Sequence, residues 1–257
     1  MSNILAIAQR ELKSYFASPI AYVVIGLFVA LYGYFYIVML DYFMRMSLQM
    51  NQFGMGGPQS ANVNEMLIRP LMQNVLILFL FMLPGITART FAEEKKSGTI
   101  ELLLTSPLTD MQIVLGKFIG AMGLFAAMLA VTLVDIGILF LYGNPEWKPI
   151  ATAYLGLFLF GGCFISIGIF VSSLTKNQII AGIATFAVFL FLWVINWIGS
   201  FSGPTVSALT SYLSVVEHAD DFWKGVIDTT HVIYYTSFIT LGLFLTAKSV
   251  DTERWRG

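Results

Sequence analysis

One carboxylate stands alone inside a long apolar stretch of the chain. Asp135 lies between Val134 and Ile136, and no other charged residue occurs from Phe118 to Leu141. A carboxylate in lipid is costly unless it is paired or hydrated. Asp135 is therefore a candidate to line a transport path, to contact a partner or to exchange a proton. The alternative is a structural hydrogen bond to a neighbouring helix, for which the polar candidates are Thr132, Ser166 and Asn196.

Two further groups have side chains of metal-ligating types. The first is an acidic cluster with one histidine, made of Glu217, His218, Asp220 and Asp221. The second is a methionine series of the kind that binds Cu(I), made of Met44, Met46, Met50 and Met55. With a single histidine close by in sequence, a solvated acidic loop is favoured over a metal site. A flexible methionine-rich loop is likewise favoured over a copper site.

Side chains for catalysis and for nucleotide hydrolysis are not evident in the sequence. The single Cys163 excludes a disulfide within the chain, and its apolar surroundings favour a buried structural role. A Gly-x-x-x-x-Gly-Lys-Ser/Thr loop is missing, and the nearest fragment, Gly116-Lys117, lacks the upstream glycine. A net charge of −1 excludes a bulk basic field for nucleic acid. We expect a chain without catalytic residues, metal or cofactor of its own.

The composition places most of the chain in lipid. Hydrophobic residues make up 57% of the sequence and charged residues only 11%. Soluble domains carry about 25% charged residues. A helix needs about 20 apolar residues to cross a bilayer. Six stretches qualify, which predicts an all-α integral membrane protein: Ile20–Leu40, Leu71–Ala88, Phe118–Leu141, Ile150–Val171, Ile179–Ile198 and Thr229–Ala247.

Positive charge is distributed unequally between the segments that connect these crossings. With the N-terminus in the cytoplasm, ten Lys and Arg residues fall inside and four outside. The inside residues are Arg10, Lys13, Arg89, Lys95, Lys96, Lys117, Lys176, Lys248, Arg254 and Arg256. The outside residues are Arg45, Arg69, Lys148 and Lys224. Cytoplasmic loops are richer in positive charge, so both termini are predicted to be cytoplasmic.

Three segments outside the crossings have informative patterns. Residues 1–19 place Ile4, Leu5, Ala8, Leu12, Tyr15 and Phe16 on one helical stripe, which predicts an amphipathic helix in the membrane interface. Residues 41–69 read as a long outer loop. Residues 199–228 begin with the breakers Gly199 and Gly203-Pro204. The apolar stretch Thr205–Val216 is too short to cross, which predicts a re-entrant segment between the fifth and sixth crossings.

The connection between the second and third crossings, residues 89–110, divides into three parts. Phe91–Lys96 continues the second crossing as a charged helix. Gly98 breaks it, with Thr99 predicted to cap the next turn. Ile100–Leu104 forms a short apolar helix, and Pro107 suits the first turn of the third crossing with Ser106 as its cap. These apolar residues are too few to span a membrane, so they need either the lipid interface or the groove of a partner protein.

Small residues form stripes on two crossings. The third carries Gly116, Gly120 and Gly123, and the fourth carries Gly161, Gly162, Ser166 and Gly168. Small residues let helices approach closely. Packing within one subunit is favoured over a dimer face.

At the loop 89–110, the chain resembles the permease subunits of ABC transporters of the ABC-2 family. The family pattern Glu-(Lys/Arg)-x-x-Gly-Thr-x-Glu-x-Leu-x-x-(Ser/Thr)-Pro is occupied here by Glu94, Lys95, Gly98, Thr99, Glu101, Leu103, Ser106 and Pro107. Gly116-Lys117 is similar to the pair that opens the family's third crossing. A narrower resemblance, to permeases of gliding motility and of nitrous-oxide reductase maturation, is carried by residues 18–20, 91–99 and 172–178.

The resemblance implies partners and a mechanism. Residues 1–257 would form a single transmembrane domain in the bacterial inner membrane, paired with a second permease copy or a homologous permease. A separate ATPase subunit would bind ATP and Mg²⁺, and the loop's short helix would dock into it as a coupling helix. ATP-driven closure of two ATPase subunits would then move the crossings.

Two functions agree with this pattern. The first is a permease that moves a substrate across the membrane, with export as the expected direction. The second is a mechanical or anchoring subunit that drives an extracytoplasmic partner without solute transport. The sequence does not name a substrate.

Overall fold

A computed structural model describes residues 2–52, 62–200 and 203–256, and within them the chain is helical without strands. The helices are α1 (Ser2–Ala17), α2 (Pro19–Gln52), α3 (Arg69–Thr87), α4 (Arg89–Ser97), α5 (Ile100–Leu104), α6 (Asp110–Tyr142), α7 (Trp147–Ser173), α8 (Gln178–Ser200), α9 (Pro204–Leu213), α10 (Glu217–Trp223) and α11 (Thr229–Arg256), with a π turn at Asn64–Ile68 before α3.

Six helical stretches among these residues are long and apolar enough to cross a membrane, which confirms the predicted number. They are Ala21–Met50, Asn64–Ser97, Asp110–Tyr142, Trp147–Ser173, Gln178–Ile195 and Thr229–Arg254. The core between them is rich in aromatic rings. Phe79, Phe125, Phe160, Phe164 and Phe189 have no exposed surface. The helix α7 lies at the centre, packed against α3, α6, α8, α10 and α11.

The first crossing is longer than its apolar run predicts. The helix α2 continues past Leu40 to Gln52, through residues assigned from sequence to an outer loop. An ion pair one turn apart, Arg45 Nε to Asp41 Oδ2 at 2.8 Å, lies in this extension. Such a pair supports a helix in the absence of apolar burial. At the other end of the same loop, residues 64–68 form the π turn that leads into α3.

The second crossing passes its internal proline without ending. Pro84 lies inside α3, and the Ala88 amide donates to the Pro84 carbonyl at 2.9 Å. Ala88 keeps helical backbone angles, so α4 follows as the predicted charged extension. The helix-breaking pair Pro84-Gly85 therefore does not end the second crossing. Helical geometry is retained there because a proline removes one hydrogen bond and need not stop the helix where neighbouring helices hold it.

The N-terminal helix packs on the third crossing. Cβ atoms built at Gly116, Gly120 and Gly123 would meet Ile7, Glu11 and Leu12 at 2.5, 2.6 and 3.2 Å. The glycine stripe thus serves packing within one subunit, as predicted, although its partner is α1 and not another crossing. Ile7 and Tyr15 are buried in this contact, while Leu5, assigned from sequence to the same apolar face, is 62% exposed. Placement of α1 in the membrane interface remains a prediction.

The segment between the fifth and sixth crossings forms two short helices, α9 and α10, which we call the distal cap. Gly203 and Pro204, expected to act as breakers, supply the N-cap and first residue of α9. The cap lies at the end of the bundle opposite the loop 89–110, because α8 and α11 connect to it. Its depth in a bilayer remains a prediction.

Candidate coupling site

A left-handed glycine separates the two helices of the loop 89–110. Gly98 ends α4 with φ +75°, a conformation that favours glycine because a side chain there is strained. The Ser97 hydroxyl donates to the Glu93 carbonyl at 2.9 Å and lies 2.9 Å from the Thr99 hydroxyl. The helix α5 then starts in a new direction. The break predicted at Gly98 is therefore confirmed.

Two predicted helix caps are wrong. Thr99 has helical backbone angles and makes no side-chain cap bond, since its hydroxyl turns back toward α4. Ser106 does not cap the third crossing, because its hydroxyl donates to the Leu103 carbonyl at 2.6 Å. The helix α6 begins at Asp110, where Thr109 and Gln112 form a reciprocal capping box.

The short helix α5 divides its side chains between the protein and the exterior. Ile100 and Leu103 are each 7% exposed and belong to the core of this chain. Leu102 is 75% exposed, and Glu101 and Pro107 are also exposed. The side chain of Leu104 lies outside the described residues. Leu103, predicted to meet a partner, is instead covered by its own subunit.

A buried ion cluster, which we call the Lys117 junction, ties this loop to two other helices. The Lys117 side chain is 1% exposed. Its ammonium lies 2.8 Å from Glu11 Oε1 of α1 and 2.8 Å from Glu94 Oε1 of α4, and it donates to the Thr90 carbonyl at 2.9 Å. The ammonium thus uses all three of its donors, and the guanidinium of Arg10, 3.7 Å from Glu11 and 3.4 Å from Glu94, supplies a second positive charge for the two carboxylates. Breaking such a buried cluster leaves an uncompensated charge.

A second set of ion pairs, the C-terminal junction, ties the loop to α11. Lys95, whose side chain is 4% exposed, bonds to Glu253 at 2.5 Å. Arg254 pairs with Asp110 at 2.8 Å and donates to the Leu108 carbonyl at 3.1 Å. The end of the sixth crossing is therefore bonded to the loop both before α5, at Lys95, and after it, at Leu108 and Asp110.

A serine of α7 holds the joint between α3 and α4. The Ser172 hydroxyl donates to the Ala88 carbonyl at 2.8 Å and accepts from the amides of Phe91 and Ala92 at 3.1 Å each. Ser172 is fully buried. It satisfies backbone groups at the point where the second crossing becomes the loop, so α4 cannot move independently of α7 without losing three hydrogen bonds.

A cavity of about 660 Å³ opens between α1, α4 and α5. Its walls carry charge of both signs, including Arg10, Arg89, Glu93 and Glu94, with Leu102 at the rim. The Arg89 guanidinium lies 4.4 Å from the centre of the Tyr15 ring. Burial raises the pKa of Tyr15 to about 12, so its phenol stays protonated. The cavity thus has polar and apolar surface side by side.

The carboxylate of Asp135 makes no hydrogen bond to any residue that the structure describes with its side chain. Thr132 bonds to the Leu129 carbonyl and to the Tyr154 hydroxyl, and Ser166 bonds to the Cys163 carbonyl. Tyr36 approaches only the backbone carbonyl of Asp135, at 3.3 Å. The structural hydrogen bond predicted through Thr132 or Ser166 is therefore not formed, and the Asn196 side chain lies outside the described residues.

The acidic cluster, the described part of the methionine series and Cys163 lie apart from the coupling site. Asp220 pairs with Arg69 and Lys224, and Asp221 with Lys224 and His231, so these carboxylates already have cationic partners. Met44, Met46 and Met50 lie on α2 and not in a loop, and Met55 is outside the described residues. Cys163 is fully buried, as predicted.

Sequence reasoning brought together Glu94, Lys95 and Gly98 but missed their partners. The partners of Glu94 are Arg10 and Lys117, and the partner of Lys95 is Glu253, all too far away along the chain for a motif to find. The sequence did contain a sign of this ion cluster, because a lysine at the start of a crossing requires a nearby negative charge.

Comparison with known proteins agrees with the architecture. Residues 5–247 match the family described as ABC-2 family transporter protein. A "Probable multidrug ABC transporter permease YbhR" of Escherichia coli K12 is 29% identical over 166 residues, which cover 65% of this chain and 40% of the relative. The protein of the same name from Escherichia coli O157:H7 matches equally. The chain thus aligns with less than half the length of these curated relatives. The match over nearly all of the sequence shows that this multi-pass membrane chain belongs to the ABC-2 family of transporter proteins.

Proposed function

We propose that the chain is the permease subunit of an ABC transporter in the bacterial inner membrane, with both termini in the cytoplasm. A separate ATPase subunit, which binds ATP and Mg²⁺, docks against the exposed face of α5 and the adjacent cavity. The observation that carries the proposal is the pair of junctions around α5. Ion pairs connect this one loop to α1, α6 and α11, and those of Lys117 and the Lys95 ammonium are buried on the cationic side.

These connections suggest how a push on α5 reaches the membrane. Movement of α5 pulls on α4 through Gly98. Because α4 continues α3 and is bonded to Ser172 of α7, two crossings follow directly. The Lys117 junction carries the same movement to α1 and α6, and the C-terminal junction carries it to α11. In this proposal Glu94 and Lys95 transmit force inside the permease, while Glu101 and Leu102 contact the ATPase.

A second permease copy, or a homologous permease, completes the proposed transporter. The interior of this chain is filled by fully buried aromatic rings, so a path for substrate lies between two copies. Asp135 is half-buried, and its carboxylate has no hydrogen-bond partner among the described side chains, which supports a place beside that path. Drug-like compounds are the proposed substrates, because the matched relative's name describes a multidrug permease, and export is the proposed direction.

Leu102→Asp tests the docking surface. Leu102 is 75% exposed, so the variant should fold normally and yet lose ATPase capture, since a carboxylate would be buried unpaired in the partner's groove. Leu174→Asp is the matched control, because Leu174 is 61% exposed on the same side, between α7 and α8. We expect about tenfold weaker co-purification of the ATPase with Leu102→Asp and wild-type recovery with the control.

Sealed proteoliposomes separate the two functions of this same complex. ATP-dependent movement of ethidium, lost in Leu102→Asp together with stimulated hydrolysis, supports the permease. Coupled hydrolysis without ethidium movement supports a mechanical subunit that drives an extracytoplasmic partner. Wild-type capture and hydrolysis in Leu102→Asp would refute α5 as the coupling surface.

A further inference from the structure

Two histidines meet at the distal cap, where three helices come together. Nδ1 of His218, on α10, lies 2.7 Å from Nδ1 of His231, on α11. Nε2 of His218 lies 3.0 Å from the Tyr212 carbonyl of α9, and Nε2 of His231 lies 3.0 Å from Asp221 Oδ2. The two rings therefore link α9, α10 and α11 through a continuous chain of four polar groups.

Three hydrogen bonds at these contacts require a defined number of ring protons on the pair. A carbonyl oxygen only accepts, so His218 carries hydrogen on Nε2. An ionised carboxylate also only accepts, so His231 carries hydrogen on Nε2. The contact between the two Nδ1 atoms needs one donor and one acceptor. Three protons on four ring nitrogens correspond to one neutral imidazole and one imidazolium, shared within the pair.

The two histidines have different surroundings. His231 lies beside Asp221, whose pKa is lowered by its hydrogen bonds from His231 and Lys224. His218 is 6% exposed, and its ring stacks on Tyr234 with centroids 3.8 Å apart. Burial lowers the pKa of His218. The other charged groups that act on the pair are Glu217 of α10 and Asp228, which precedes α11.

We propose that His218 and His231 form a proton-binding clasp that holds the distal cap against α11 and opens when the pair takes up a second positive charge. A fourth proton would set N–H against N–H across the 2.7 Å contact, with no acceptor between them. Two adjacent imidazolium rings would also repel one another. The rings must then separate, which removes the histidine link between the cap and the sixth crossing, while the Tyr234 and Tyr235 hydroxyls of α11 keep their bonds to the Leu213 and Val215 carbonyls. This inference concerns the end opposite the coupling loop and does not depend on ATPase docking.

A cysteine beside His218 reports the state of the clasp. Ala219 has no exposed surface, so in a Cys163→Ala background an Ala219→Cys thiol should be protected while the cap is closed. A cysteine at Asn144, exposed at the same end of the bundle, provides the reference rate for the same thiol reagent. The quantity to measure in purified protein is the labelling rate of Ala219→Cys divided by that of the reference cysteine at Asn144. We expect this ratio to rise about tenfold between about pH 7.5 and pH 5.

Two variants test whether the histidine pair causes that rise. His218→Phe keeps a ring against Tyr234 but takes no proton, so the ratio should stay constant with pH. His231→Asn offers an amide that can donate to neutral His218 or accept from the charged ring, so it should also abolish the rise. A constant ratio in the parent, or an unchanged rise in a folded variant, would overturn the clasp.

Thermal unfolding gives an independent readout with a defined sign. The pKa of His218 is lower in the folded chain than in the unfolded chain, where a histidine has a pKa of about 6.5. The unfolded state therefore binds more protons as the pH falls below that value, and the parent should lose stability on acidification. His218→Phe should lose less over the same range, and equal losses would contradict the proposal.

Discussion

The helix α6 carries one charged residue near each end of its apolar run, and the two have opposite surroundings. Lys117 is 1% exposed and bonds to two carboxylates and a carbonyl. The carboxylate of Asp135, about 27 Å further along the helix, has no hydrogen bond to a described side chain. A charge that is fully paired stabilises one arrangement of helices. A charge left without a partner is available to a solute, to water or to a second subunit. The comparison therefore separates a structural charge from a candidate functional one.

Lys117→Met should give the largest loss of stability. Methionine nearly keeps the length of the side chain but removes the ammonium from the mostly buried Glu11 and Glu94, which retain only longer contacts to Arg10, at 3.7 and 3.4 Å. Breaking a buried ion cluster costs about 3–5 kcal/mol. Thermal unfolding of the detergent-solubilised chain measures this, with the triple variant Lys117→Met, Glu11→Gln, Glu94→Gln as the matched control.

The triple variant also distinguishes stability from coupling. Neutral amides remove the unpaired charges, so we expect it to recover most of the lost stability. It should still stimulate the ATPase poorly, since the link between α1, α4 and α6 is weakened. Full stability in Lys117→Met alone would show that the cluster contributes little to folding.

A substitution in the contact between α1 and α6 should cause an intermediate loss of stability. A Cβ at Gly120 would meet the Glu11 Cβ at 2.6 Å, so Gly120→Ala must displace the helix that supplies one carboxylate of the Lys117 junction. Overpacking of this kind costs about 1–3 kcal/mol. Gly137→Ala on the same helix meets nothing within 4 Å and should stabilise by about 0.5–1 kcal/mol. The two melting temperatures should thus shift in opposite directions, and equal shifts would show that α1 is not seated as described.

The sequence was sufficient for the elements that depend on local composition. Six apolar runs predicted six crossings, and Gly98 predicted the break between α4 and α5. The glycine stripe predicted packing within one subunit. In each case the signal lies within a few residues, because burial in lipid and a positive φ restrict which residue types fit.

Contacts between distant segments were not predictable in the same way. The partners of Lys117 lie 106 and 23 residues away, and no periodicity specifies them. The extension of α2 was missed because its polar residues resemble a loop, although Asp41 and Arg45 are one helical turn apart. His218 and His231 meet only because the chain turns at Gly225, which has φ +85°.

Asp135→Asn should have the smallest effect on stability and the most specific effect on function. Asparagine has nearly the same shape as the carboxyl group but no charge, and no hydrogen bond to a described side chain is lost. Stability should therefore change by no more than about 0.5 kcal/mol. If the carboxylate faces a hydrated path between two copies, its charge attracts a cationic solute. Ethidium movement in proteoliposomes should then fall severalfold, or lose its pH dependence, while ATP hydrolysis stays normal. Asp135→Glu, which restores the charge, is the control and should retain movement. Unchanged ethidium movement across pH in Asp135→Asn would assign a structural role to the residue. Asp135 and Lys117 would then both be structural charges that differ only in how well they are paired.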